Sequence, residues 1–157
     1  VSDGEVVYVD AGSTALRMVK YIKNKDITIV SSNALIAEEL QGGKAKCIIV
    51  GGNLLMTTAS LVGPITDSAL ENMHFDKAFL GTSGFSKESG INTPDPREAK
   101  KKQIVYKNSK FSFFLADSSK SGKSSLCKVI DLKDATIICE KEVPILKEAG
   151  SYLLATR

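Results

Sequence analysis

VVYVDAGSTALRMV, residues Val6 to Val19, decides how the chain is read. Its first four positions are β-branched or aromatic and suit a strand. Asp10-Ala-Gly-Ser-Thr14 then breaks the pattern, and apolar residues resume at helical spacing. The unit is strand, tight polar loop, helix. The first N–H groups of such a helix point into the loop beside the Ser13 and Thr14 hydroxyls, a ready site for an anion such as phosphate. Taken alone, the loop is better accounted for by Ser13 or Thr14 capping the helix. Recurrence of the pattern separates the two readings.

The pattern recurs. ITIVSSNALIAEEL gives a strand Ile27 to Val30, the loop Ser31-Ser32-Asn33, and a helix from Ala34 to Leu40. CIIVGGNLL gives a strand Cys47 to Val50 followed by Gly51-Gly52-Asn53. Pro64 suits the first turn of a helix, and KAFLGTSGF then runs as a strand into Gly81-Thr82-Ser83-Gly84. A helix follows over Arg97 to Lys107, and Phe111 to Ala116 forms a strand ending in Asp117-Ser-Ser-Lys120. Short strands Thr136 to Cys139 and Tyr152 to Thr156 flank a helix at Pro144 to Ala149. Strands alternating with amphipathic helices predict a three-layer α/β/α domain with a mainly parallel sheet, in which ligands bind beyond the carboxyl ends of the strands. Five successive strands end in loops of Gly, Ser, Thr, Asn and Asp, which predicts one shared polar pocket. Ser118 to Ser125 and Gly42-Gly43 read as its most flexible segments.

With 157 residues, 43% of them hydrophobic, the chain is sized for one domain with a sizeable core. No run of roughly eighteen apolar residues and no basic-then-apolar leader occurs, so a soluble, cytoplasmic protein is expected. Cys47, Cys127 and Cys139 lie at wide spacing with one histidine, His74, so they read as small core hydrophobes in a reducing compartment, and neither a metal nor a cofactor is expected. A net charge of +3 is too balanced to imply a nucleic-acid surface. Lys100-Lys101-Lys102 would fan around a helix, so at least one of them could face a ligand.

Two nucleotide signatures fail. No G-x-G-x-x-G follows a strand. Asp117 to Ser124, DSSKSGKS, approaches a phosphate loop but carries Asp117 where the first glycine must stand, and SLCKVIDL beyond it reads as strand where that loop requires a helix.

Seven segments in order, DAGST, SSNALIAEEL, VGGNL, LVGPITDSAL, FDKAFLGTSGFSKESGI, REAKKKQIV and LADSSKSGKSSLCKV, resemble the C-terminal sensor domain of DeoR-family bacterial transcriptional regulators nearly end to end. The resemblance implies a fold similar to ribose-5-phosphate isomerase and glucosamine-6-phosphate deaminase. It also implies a phosphorylated sugar as effector and an N-terminal helix-turn-helix DNA-binding domain ahead of this one. Val1 starts almost on the first strand, so residues 1–157 are expected to be the effector domain without its DNA reader, and a homo-oligomer is expected by analogy.

The expected phosphate cradle is Gly12, Ser13 and Thr14 with Ser31, Ser32, Asn33 and the Gly51-Gly52 turn, charge-balanced by Lys101 or Lys120. Sugar hydroxyls are expected at Asp10, Asp117, Glu98 and Thr82-Ser83. The rival is an aldose-ketose isomerase with Glu98 as base, since REAK at Arg97 to Lys100 resembles the isomerases' catalytic stretch. Those isomerases carry an acidic cluster before this helix, whereas Gly81 to Phe85 holds no carboxylate and Asp76 lies at the opposite edge of the sheet. Binding without turnover is the expectation.

Overall fold

The computed structural model describes residues 1–155. In chain order the elements are β1 (Val6–Val9), α1 (Ser13–Ile22), β2 (Thr28–Ser31), α2 (Ile36–Leu40), β3 (Lys46–Ile49), β4 (Asn53–Leu55), β5 (Ser60–Val62), α3 (Pro64–Glu71) and β6 (Phe75–Gly81). There follow β7 (Gly84–Ser86), β8 (Gly90–Thr93), α4 (Pro96–Lys107), β9 (Ser109–Leu115), β10 (Cys127–Ile130), β11 (Thr136–Cys139) and β12 (Ser151–Leu154). Single 3-10 turns occupy Ser118–Lys120, Leu132–Asp134 and Pro144–Glu148.

Seven strands form one sheet in the order β12-β11-β9-β6-β1-β2-β3, every neighbouring pair parallel. Chain order reverses between β1 and β6, and a doubly wound sheet opens a crevice at such a switch point, beyond the strands' carboxyl ends. The period of two along β1 builds the layers. Val7 and Val9 pack with Ala15, Val19, Ile22 and Ile36 on the α1/α2 side, while Tyr8 packs with Leu70, Ala99 and Val105 on the α3/α4 side. Asp10 continues the Tyr8 side, so it leaves the strand facing α4.

Five expectations change. The small antiparallel sheets β4-β5 and β10-β8-β7 are additions to the parallel rhythm. Pro144 to Ala149 makes a 3-10 turn, and α2 starts at Ile36 because the Asn33 side chain accepts the Leu35 N–H and holds Ala34-Leu35 in a turn. The Ser118 to Ser125 segment, read as flexible, is tied down: Gly122 N–H donates to Phe85 O, and the Asn92 amide donates to Lys123 O. Of the cysteines, Cys139 is buried but Cys47 is exposed on the edge strand β3. The last strand ends at Leu154, and Thr156 lies outside the described residues. Among the described residues, no helix is long and apolar enough to cross a membrane.

Candidate functional site

A cavity of about 840 Å³ opens at the switch point, between the loop after β1 and the loop after β6. Its α1 wall is an open helix end. Gly12 takes φ 108°, a conformation that favours glycine, and α1 has no side-chain cap. Leu16 N–H is the first to reach a carbonyl, that of Gly12 at 3.1 Å, which leaves the N–H groups of Ser13, Thr14 and Ala15 without an intrahelical acceptor. Ser13 and Thr14 are exposed here, and the partial positive charge of the helix end faces the cavity.

Opposite stands α4. Asp95 caps it by accepting the Arg97 N–H at 2.8 Å, and Pro96 occupies its first turn. Glu98, Ala99, Lys101, Lys102 and Val105 form its buried face, the i, i+3, i+4, i+7 spacing of an amphipathic helix with charges in place of apolar residues at one end. Lys100 turns outward to Asp67 at 3.6 Å.

These charges form a closed set beneath the cavity. Lys102 Nζ donates to Asp10 Oδ2, and Gly81 N–H donates to the same oxygen at 3.0 Å. Lys101 Nζ donates to Ser32 Oγ at 2.9 Å, Ser60 Oγ at 2.6 Å and Leu61 O at 3.2 Å, and lies 3.7 Å from Asp10 Oδ1. Tyr8 Oη and Ser32 Oγ share a 2.7 Å hydrogen bond. Glu98 Oε2 lies 3.2 Å from Lys101 and 3.6 Å from Lys102, whereas Glu98 Oε1 is buried without a partner. Two ammonium groups thus offset two carboxylates. One acceptor, on a residue that lines the cavity, is left over.

Electrostatics follow from this geometry. Burial pushes the Asp10 carboxyl up, but Lys102, Lys101 and the hydrogen bonds from Lys102 and Gly81 outweigh it and hold it at about 2, below its ordinary 3.8. Burial works against the Lys102 charge, yet Asp10 and Glu98 raise its pKa above the usual lysine range. Burial, then the Asp10 charge, raise Tyr8 well above the usual phenol range, so its hydroxyl stays protonated. Since Asp10 binds its proton more weakly folded than unfolded, its stabilisation is complete above pH 3.8 and is lost as pH falls through about 2, roughly 2 kcal/mol in all. Urea titrations at pH 5 and pH 2 should show this loss, and the part due to Asp10 should vanish in Asp10→Asn.

Eight of the expected residues line the cavity: Gly12, Ser13, Thr14, Asn33, Thr82, Ser83, Glu98 and Lys120. Thr82 is committed to backbone, its hydroxyl donating to Gly84 O at 2.7 Å. Seven expectations are corrected. Asp10, Ser32 and Lys101 lie wholly buried in the charge set beneath the cavity, so Lys101 cannot balance a ligand's charge directly. Ser31 spends its hydroxyl on Val9 O. Gly51 and Gly52 follow the edge strand β3 and pack on Thr66 of α3, away from the cavity. Asp117 turns from the cavity to cap the 3-10 turn, accepting Ser119 N–H at 3.0 Å.

Several wall and floor residues escaped the sequence reading, namely Tyr8, Ser60, Asp95 and the β4-β5 turn Met56 to Ala59, while Lys102 was singled out only as one of three helix lysines of which at least one could face a ligand. Spacing held the signal for Lys102, which sits at i+4 from Glu98 on a helix. No local signal marks the hairpin turn, whose walling role depends on the fold.

The DeoR C terminal sensor domain matches residues 1–141. This chain belongs to that family. Curated relatives agree: the uncharacterized HTH-type transcriptional regulator FruR of Bacillus subtilis is 37% identical over 139 residues, covering 88% of this chain and 55% of the relative. The HTH-type transcriptional regulator GlpR of Haloferax volcanii is 34% identical, covering 85% and 53%, and the transcriptional repressor AccR of Agrobacterium fabrum is 31% identical, covering 88% and 55%. The chain spans about half the length of these relatives. Ribose 5-phosphate isomerase A from Methanocaldococcus jannaschii superposes with TM-score 0.51 at 17% identity, covering 77% of this DeoR-family sensor domain and 48% of the isomerase, a likeness of fold. Among the described residues, no group of three or more His, Cys, Asp or Glu is placed to hold a metal.

Proposed function

We propose that this DeoR-family domain binds a phosphorylated sugar in the switch-point cavity and serves as the effector-sensing half of a cytoplasmic transcriptional regulator, most simply a repressor of sugar-metabolism genes. One observation carries the reading. An uncapped helix end, Lys120 and Glu98 share one cavity, and one carboxylate oxygen of Glu98 is left without a partner. The first pair suits a dianion, through backbone N–H groups and a positive charge, and the lone oxygen suits a hydroxyl that donates to it. A phosphosugar offers both groups on one small molecule.

DNA contact would belong to a helix-turn-helix ahead of this domain, a reading supported by relatives named HTH-type. The occupied cavity changes how copies of the protein pack, and hence the spacing of their DNA-reading parts. The hairpin turn Met56 to Ala59 is the wall through which occupancy would reach the surface, because it lines the cavity while Met56 is 81% exposed.

The test is thermal unfolding against a panel of phosphosugars, their unphosphorylated sugars and free nucleotides. A phosphosugar should raise the midpoint by mass action, about 2.7 kcal/mol of stabilisation at a hundredfold excess over Kd. A nucleotide or bare sugar that raises it while every phosphosugar fails would overturn the assignment.

The free Glu98 oxygen also favours one rival, an aldose-ketose isomerase, since such a base must be unencumbered. Among the residues lining the cavity, the only other carboxylate is Asp95, which is engaged with Arg97 at 2.8 Å. Incubation with ribose 5-phosphate and glucosamine 6-phosphate should give no turnover. Turnover that disappears in Glu98→Gln would establish the enzyme instead.

A further inference from the structure

Lys120 reaches the cavity from a single 3-10 turn, Ser118–Lys120, inside a run of serine, lysine and glycine that buries little and turns readily. Contacts from other strands therefore have to hold it. The far flank is fixed where Gly122 N–H donates to Phe85 O at 2.9 Å and the Asn92 amide donates to Lys123 O at 3.0 Å. The near flank depends on β11. There Ile138 lies opposite Leu115 of β9, and its carbonyl accepts the Ala116 N–H at 3.0 Å. Two residues further along both strands, Glu140 comes beside the start of the turn. Its two carboxylate oxygens accept the Ser118 N–H at 2.9 and 3.0 Å, and one of them also accepts the Ser118 hydroxyl at 2.5 Å. The hydroxyl first, then the N–H, hold this carboxyl at about 2, below its ordinary 4.5, so it is ionised at neutral pH. Glu140 itself is exposed and is not among the residues lining the cavity.

We infer that Glu140 is a positioning residue, which clamps Ser118 and so fixes the turn in the conformation that presents Lys120 to the cavity. The inference rests on the reading of Lys120 as the counter-charge of a phosphate. Geometry and charge predict opposite effects here. A clamp orders the lysine's turn before the ligand arrives, so removing it weakens anion binding. The Glu140 charge itself repels an anion, so removing charge alone would tighten binding. Weaker binding after loss of a negative charge is thus explained by position.

Inorganic phosphate titrated into the isotope-labelled domain, followed by NMR at the Ser13 and Thr14 amides, is the test. Glu140→Ala should weaken phosphate binding about three- to tenfold. Glu140→Gln, which keeps an acceptor for Ser118, should restore most of it. In a Lys120→Ala background, Glu140→Ala should have no further effect, because it acts through that lysine. In the ligand-free domain, Glu140→Ala should quicken amide exchange at Ser118 to Lys120 and leave the thermal midpoint nearly unchanged, since the contact is exposed. Binding that tightens or holds level in Glu140→Ala, a weakening that persists without Lys120, or unchanged amide exchange would overturn the inference. A wild type that takes up neither phosphate nor any phosphosugar refutes the reading of the cavity instead, and the amide exchange then decides the clamp by itself.

Discussion

Asp10→Ala lowers the stability of this domain by about 3–5 kcal/mol in urea titration, the range for removing one partner of a buried ion pair. The carboxylate is fully buried and accepts from Lys102 and from Gly81 N–H, with Lys101 at 3.7 Å. Its loss strands two buried ammonium groups on Glu98 alone and leaves the Gly81 N–H without an acceptor. Asp10→Asn keeps the shape and that acceptor but loses the charge, so it falls in the same direction. The pair is nonetheless weak evidence for net stabilisation, because the desolvation of both ions offsets most of their attraction. Asp10→Leu combined with Lys102→Met should therefore cost far less than the sum of the single changes, a coupling read from a double-mutant cycle. An Asp10→Ala loss below 1 kcal/mol would show the set to be solvated and the cavity floor to be misdrawn.

Lys120→Ala weakens the binding of a phosphosugar 10- to 100-fold, the value of about 1.5–3 kcal/mol for a charge-assisted hydrogen bond. The argument is one of charge balance. Lys101 and Lys102 are opposed by Asp10 and Glu98, so the floor beneath the cavity presents no net charge to a dianion. Lys120 lines the cavity and has only a loose partner, Asp117 at 3.9 Å. The side chain is partly exposed, so its truncation should leave the thermal midpoint of the unliganded domain nearly unchanged. Calorimetry should show the loss for the phosphosugar and none for its unphosphorylated analogue. Equal losses for both would move the phosphate elsewhere in the cavity.

The strand-loop-helix unit at Val6 to Val19 was legible because its cause is local: β-branched residues, a glycine that tolerates φ 108°, then helix formers. The same holds for Pro64 at its helix start and for Glu98 in the first turn of α4. Which polar loop shares a pocket with which was not legible. Gly51-Gly52-Asn53 is built from the same small residue types as the other loops, yet β3 lies at the sheet edge while β1 and β6 are neighbours at its centre.

Sequence by itself determined the alternation of strand and helix, the family, and the helix that starts just after Gly12, since each rests on neighbours in the chain. Tertiary structure alone decided the roles of the lysines. A one-residue step along α4 turns the side chain by about 100°, and that rotation sends Lys100 to solvent, Lys101 to Ser60 beside the hairpin turn and Lys102 to Asp10. Burial did the rest. Carboxylates that would greet a ligand in water, Asp10 above all, are consumed by buried cations whose own desolvation demands a partner.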